Sequence, residues 1–407
     1  MTHQAQVRHG ASANAPSLPI DPFAEAFLAD PYAHHAAIRH AGSVVWIPAY
    51  GVYAMGRYEE VVAALKNTEV FCSSRGVGLS DFAKEEPWRP PSLLLETDPP
   101  VHDRTRGIMN KVASLVSLKA LQPAWAAKAN ALAECLVARR KFDAVVDLAE
   151  IYPLSVFPDM IGVPTEGREH LLAYAAASFN AFGPRNTLFS ETFAAAQEAI
   201  AWVEMACKRE NLSNSGWGAA VYAAADAGQC TAAEAERLVR SFLSAGVDTT
   251  VNGIGNLMLA LVTHPDQWAA LRADPALAPR AFEEALRWDS TAQVFFRTTT
   301  CEVTVGGTTI PAGAKVLLML GAANRDPRKW GDDADAYRID RPASGHVAFG
   351  FGIHQCLGQM VARMEARMVL DALIPRIAAM RLSAAPVRRL NNTLHALASL
   401  PIEVEPS

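Results

Sequence analysis

Three groups of residues carry side chains whose types and spacing suit chemistry. The first is Phe349-Gly350-Phe351-Gly352-Ile353-His354-Gln355-Cys356-Leu357-Gly358, one cysteine among three glycines. Glycine lets a backbone approach something flat and bulky. The helical pattern over 359–377 that follows puts Cys356 just before a helix N-terminus, whose partial positive charge favours a thiolate. The second is Asp248-Thr249, an acid beside an alcohol, in Ala245-Gly246-Val247-Asp248-Thr249-Thr250. Such a pair suits proton delivery. The third is a set of cations and hydroxyls. His102 and Arg106 are four apart and share a helix face, either as a solvated basic face or as a donor pair for carboxylates. Arg89 and Ser92 sit in a proline-stiffened loop, and Ser241 and Ser244 lie one turn apart on a helix face that continues to Ala245 and Asp248.

The elements that must position these groups are mostly helical. Thr231-Ala232-Ala233-Glu234 has capping-box spacing, and a helical pattern runs from it over 231–264, roughly 50 Å at 1.5 Å per residue. Gly246 and Thr249 weaken its middle: glycine costs about 1 kcal/mol against alanine, and the threonine hydroxyl bonds the carbonyl four residues back. Further helical patterns cover 32–40, 58–66, 124–139, 142–161 and 166–182. Two β-rich runs, 44–47 and 51–55, flank Pro48 as a hairpin, and strands recur over 303–305 and 315–320 around Gly306-Gly307. Residues 73–100 form a long loop of little periodicity, and loops of that length are more often functional than idle. Residues 208–218 read as a polar loop. The expected architecture is mainly α with a smaller β-rich part: a flexible tail over 1–20, then a single domain over 21–407.

Composition limits the partners. Among 407 residues, half are hydrophobic and the formal net charge is -5, with no basic run to meet nucleic acid. The six cysteines lack paired spacing, and no signal peptide is evident. This implies a reducing, cytoplasmic location. No apolar run is long enough to cross a bilayer.

The loop spacing F-x-x-G-x-H-x-C-x-G, the A-G-x-D-T segment at Ala245 and Glu284-Ala285-Leu286-Arg287 stand in the order that resembles the cytochrome P-450 family. The resemblance covers the chain from about Asp21 to the end. It implies the cytochrome P-450 fold and a haem b cofactor (iron protoporphyrin IX) held by Cys356. A haem thiolate favours O–O cleavage. It further implies that Phe349 and Gly358 shape the loop, Ala245 lies over the haem, and His102, Arg106, Arg297 and His354 meet the propionates. Glu284 and Arg287 take a fold role, and Asp248 and Thr249 deliver protons.

The stretches 71–96, 178–184 and 391–394 resemble the soluble bacterial members that oxidise para-substituted benzoates, such as 4-methoxybenzoate O-demethylases. That resemblance implies a carboxylate bound by Arg89, Ser92, Ser241 and Ser244 with Arg240 nearby. It places the ring among Phe179, Phe182 and Phe295, with Leu95, Ala245 and Ala292 completing the pocket. A phenylalanine pair at i, i+3 is more often core than pocket. A ferredoxin and its NAD(P)H-dependent reductase are implied as electron donors, with O2 as oxidant. Another small aromatic acid as substrate, a peroxide-driven peroxygenase, and a non-catalytic haem sensor are the competing readings.

Overall fold

The computed structural model describes residues 14–407. Its principal helices are α1 (Tyr32–Ala41), α2 (Tyr58–Lys66), α3 (Val101–Val112), α4 (Leu115–Arg139), α5 (Ile151–Ile161), α6 (His170–Asn180), α7 (Thr187–Ala195), α8 (Ala232–Ala245), α9 (Asp248–Thr263), α10 (Ala278–Trp288) and α11 (Gln359–Leu373). Strands β1 (Val45–Ile47), β2 (Val52–Met55), β3 (Phe71–Cys72), β5 (Val294–Thr299) and β8 (Lys315–Met319) form one sheet in the order β1-β2-β8-β5-β3. The expected hairpin is the antiparallel β1–β2 pair, with Trp46 opposite Tyr53. Strands β4 (Lys141–Asp143), β12 (Pro401–Pro406) and β9 (Ile377–Leu382) form a second sheet. Strands β6 (Val303–Val305) and β7 (Thr308–Ile310), and likewise β10 (Val387–Arg389) and β11 (Ala396–Ser399), pair two by two.

The main core lies between helices. α9 is buried on nearly every side, from Asp248 through Val262, and packs against α10 and α11. A helix apolar all round belongs in the centre of a large core. α10 carries the Glu284–Arg287 pair into the interior, where both side chains are fully buried. Arg287 donates through Nε and Nη2 to the Glu284 carboxylate at 2.6 and 2.7 Å. Its remaining N–H groups reach the carbonyls of Asn324, Ala334 and Ala336. All five guanidinium donors are thereby used.

Five boundaries differ from the sequence expectation. The central helix is two helices, α8 and α9, parted at Gly246-Val247. A Cβ on Gly246 would lie 2.0 Å from the Phe157 ring, and the Thr249 and Thr250 hydroxyls donate to the carbonyls of Ala245 and Gly246. The 142–161 pattern resolves into β4, a π-helical turn over Ala144–Ala149, and α5. The 166–182 pattern forms helix only over α6, and the pattern after Cys356 stops at Leu373, since Ile377 opens β9. Trp217 begins a helix within the expected polar loop. Of the stretch expected as a tail, residues 1–13 lie outside the described residues. Pro16 and Leu18 bond to Trp46 and extend the β1 edge.

Candidate active site

One cavity gathers nearly all of the predicted site residues. The backbone of α8 orders its wall. Arg240, Ser241, Ser244 and Ala245 line it in turn, and Thr249, Thr250 and Gly253 of α9 continue the lining. Cys356, Leu357, Gly358 and, from α11, Val361 and Ala362 supply another side.

Cys356 is accessible from this cavity. Its loop turns at Gly350 and Gly352, with φ of +71° and +72°, values that favour glycine. The Cys356 N–H donates to the Phe349 carbonyl at 2.8 Å. Burial pushes the thiol pKa up. The N–H groups of Gly358 and Gln359 and the cations Arg106 and Arg363 pull against it. The N–H groups at the helix N-terminus thus favour a thiolate against the cost of burial, and a bound metal completes the shift, because a coordinating thiol is deprotonated outright.

The loop is braced by α10. Glu283 accepts from Arg363 at 2.6 and 3.0 Å and from His346 at 3.1 Å. Arg363 lies 4.6 Å over the Phe349 ring, and the His346 ring is 5.7 Å from it. Burial raises the Glu283 pKa, but His346 and Arg363 together outweigh it and bring it down to about 2.

Around Cys356 the buried basic groups are under-satisfied. Arg297 lines the cavity, donates to the Phe296 carbonyl, and leaves Nε without a partner. Burial lowers its pKa to about 10. His354 gives Nδ1–H to the Leu94 carbonyl, and its Nε2 has no hydrogen bond. His102 stands behind it, rings 4.4 Å apart and near edge-on, and its Nε2 is likewise unpartnered. Burial, and then His354 and Arg106, lower the His102 pKa against the pull of Asp103. Arg106 lines the cavity, and its Nε reaches Asn110. A buried donor without an acceptor is costly. The free Arg297 Nε–H, with Arg106 and the unpartnered His354 Nε2 on the same lining, fits the propionates of a haem seated beside Cys356. His102 itself is not part of the cavity lining.

The proton-delivery pair is divided. Thr249 lines the cavity, and its hydroxyl donates to Ala245 at 2.7 Å. Asp248 does not line it. It is wholly buried, accepts from Arg389 Nη2 at 2.5 Å, and has Oδ2 unpartnered. Glu150, at the end of the π-helical turn, lies near both Arg389 and Asp248. Burial raises its pKa, and Arg389 opposes this.

The remaining lining is apolar with one polar corner. Phe179, Phe182 and Phe295 pack edge to face, with centroids 5.8 and 5.7 Å apart. They form a cluster with Val77 and Leu394, against which Leu95 and Ala292 rest. The 391–394 stretch supports this wall: Asn392 bonds the Asn180 backbone and side chain, and Thr393 donates to the Phe179 carbonyl. At the corner, Ser92 and Ser241 hydroxyls lie 3.3 Å apart. Ser241 and Ser244 donate back to the Arg237 and Arg240 carbonyls. Arg89 Nη1 pairs with Glu96 at 3.0 Å, leaving its Nε unpartnered. Arg240 Nη2 donates to the Pro90 carbonyl at 2.7 Å. Burial and the nearby Arg89 lower the Arg240 pKa.

Sequence reasoning missed Glu96, Arg389 and Glu283. Glu96 sits in a loop without periodicity, Arg389 is far from any motif, and Glu283, though next to Glu284, meets its partners His346 and Arg363 only through the fold. No helix among the described residues is long and apolar enough to cross a membrane.

A family model described as Cytochrome P450 matches residues 219–378. The chain is 53% identical over 401 residues to cytochrome P450 CYP199A2 of Rhodopseudomonas palustris, covering 98% of this chain and 97% of that one. It is 33% identical to cytochrome P450 107B1 of Saccharopolyspora erythraea, over 89% and 92% of the two chains. Among solved structures, CYP109Q5 from Chondromyces apiculatus superposes with a TM-score of 0.80 at 30% identity, covering 96% and 99%. Cytochrome P450 CREJ in complex with (4-ethylphenyl) dihydrogen phosphate does so with 0.84 at 25% identity, covering 95% and 99%. Relatives of this class use O2, redox partners and a haem b whose iron is held by a cysteine thiolate. The lone cysteine in its glycine-turned loop, the buried basic groups around it and full-length similarity together place the chain in the cytochrome P450 family of haem-thiolate monooxygenases.

Proposed function

We propose that this enzyme oxidises para-substituted benzoates, O-demethylating 4-methoxybenzoate or hydroxylating a para-alkyl group. Electrons come from a ferredoxin and its NAD(P)H-dependent reductase in the cytoplasm. The observation that carries this reading is the polarity of the cavity: an aromatic-walled space with one corner of guanidinium and hydroxyl groups and, elsewhere on its lining, Thr249 and Cys356. Charge-assisted bonds from guanidinium suit a carboxylate. The protein's net charge of -5 gives an anion little long-range attraction, so local donors must hold it. The CREJ complex supports the reading, since a para-alkyl aryl anion occupies this fold there.

In this account Cys356 holds haem, and Arg106, Arg297 and His354 hold its propionates. Thiolate-ligated haem supplies the activation of dioxygen. Arg89 Nε, Ser92, Ser241 and Ser244 bind the carboxylate, with Arg240 neutralising it. To bond the ligand, the Ser241 and Ser244 hydroxyls turn from the Arg237 and Arg240 carbonyls that they now serve. Phe179, Phe182 and Phe295 hold the ring and exclude water. The Thr249 hydroxyl passes protons at the break between α8 and α9, resupplied through Asp248. Oxidation of the methyl ether gives a hemiacetal, which releases formaldehyde.

The test is calorimetric titration of the holoenzyme with 4-methoxybenzoate and its neutral amide. Charged hydrogen bonds contribute about 1.5–3 kcal/mol, so the acid should bind roughly tenfold or more tightly. Equal affinities would contradict carboxylate recognition.

A further inference from the structure

The polar corner has an internal carboxylate of its own. Glu96 is only 4% exposed. Its Oε2 accepts from Arg89 Nη1 at 3.0 Å and from the Ser92 N–H at 2.7 Å. It is not part of the cavity lining, whereas Arg89 and Ser92 both are. Glu96 therefore stands directly behind two of the groups proposed to meet the substrate.

Charge counting gives this position a consequence. Two guanidiniums line the corner, Arg89 and Arg240. Arg89 is paired with Glu96, while Arg240 is bonded to a backbone carbonyl. Arg237, one turn before Arg240, turns to the Pro91 carbonyl and is outside the lining. Of the two lining cations Arg89 already has a carboxylate partner, and only Arg240 lacks one. A ligand with one negative charge matches Arg240. A second negative charge on the ligand meets the Glu96 carboxylate across Arg89, where the low dielectric of a buried site strengthens the repulsion. The same pairing keeps Arg89 from being a buried, unpaired cation when the cavity holds no ligand. Its Nε and Nη2 N–H groups remain to bond an incoming anion.

Resting on the carboxylate-anchoring reading above, we infer that Glu96 is a specificity-determining residue. Acting through Arg89 and Ser92, it limits the site to singly charged aromatic anions and discriminates against doubly charged ones such as aryl phosphonates.

The experiment separates charge from shape. Holoenzyme is titrated calorimetrically with 4-methylbenzoate, 4-methylbenzenesulfonate and 4-methylphenylphosphonate, at a pH where the phosphonate is doubly ionised. The sulfonate and phosphonate share a tetrahedral head and differ in charge. Wild type should bind the sulfonate more tightly than the phosphonate. Glu96→Gln keeps an acceptor for the Ser92 N–H, and in it the phosphonate-to-sulfonate affinity ratio should rise by roughly tenfold or more. Glu96→Asp, which keeps the charge, should hold the wild-type ratio. A merely structural role would weaken both ligands together, leaving the ratio unchanged in Glu96→Gln, and that result overturns the inference. So does benzoate binding without measurable affinity for either tetrahedral ligand in any variant, which would make shape the discriminator. Benzoate bound no better than its neutral amide by wild type sinks the anchoring reading itself, a separate and recognisable failure.

Discussion

Buried Asp248 pairs with the half-buried Arg389 at 2.5 Å, while Thr249, the next residue, faces the cavity. The acid and the alcohol are chain neighbours with different surroundings. The carboxylate is tied to the 387–389 strand, and the hydroxyl sits at the break between α8 and α9. Their substitutions should therefore differ in kind.

Thr249→Ala removes the cavity hydroxyl and leaves the ion pair intact. Substrate binding should persist, while product formed per NAD(P)H oxidised falls and hydrogen peroxide rises. Asp248→Asn should instead slow nicotinamide oxidation with a larger solvent isotope effect. Unchanged product yield in Thr249→Ala would remove the hydroxyl from proton delivery.

Arg287 uses five donors on one carboxylate and three carbonyls, with no exposure. Lysine offers three donors from one point and cannot reproduce that fork. Arg287→Lys should cost about 3–5 kcal/mol, as breaking buried pairs does. Recovered protein should be depleted in haem and melt at a lower temperature. A variant with wild-type haem content and melting would refute this structural role.

Arg89→Leu strips Glu96 of its cation, with both side chains nine-tenths buried or more. We expect a loss of about 3–5 kcal/mol from the orphaned charge, largely recovered in Arg89→Leu/Glu96→Gln. Thermal unfolding of the four holoenzymes completes the cycle. Additive effects would mean that the two side chains do not interact.

Glu283 gives an acid-dependent term. Its pKa is depressed from 4.5 to about 2 by His346 and Arg363. A carboxyl with a lowered folded-state pKa contributes stability fully above its unfolded value, and that contribution is lost as pH falls through the folded value. Between pH 4.5 and about 2 the wild type should therefore lose stability more steeply than Glu283→Gln. Haem release should follow, because the same contacts hold Arg363 and His346 against Phe349. Equal acid limbs would show the brace to be idle.

Much of this was legible in sequence because the haem loop, the Asp248-Thr249 segment and Glu284–Arg287 are local. Their side chains meet within a turn or two, so spacing alone carries the geometry. The hairpin around Pro48 and the helix of 58–66 were legible for the same reason. The break at Gly246 was visible as a weakness but not as a division, because the Phe157 ring that fills the glycine gap arrives from a distant helix. The Arg89–Glu96 pair was not legible, since a loop without periodicity hides which of its charges face each other. Asp248 was read as cavity-facing, because its partner Arg389 lies 141 residues away.

The central claim is that a benzoate is held by its carboxylate with its para substituent toward the haem. Turnover of 4-, 3- and 2-methoxybenzoate with one saturating ferredoxin and reductase system, read as formaldehyde and phenol product, tests it most directly. Catalysis depends on near-attack geometry. The account therefore predicts efficient demethylation of the 4-isomer, poor turnover of the 3-isomer, whose methoxy group meets the Phe179, Phe182 and Phe295 wall, and essentially none of the 2-isomer. Comparable rates for all three would contradict it.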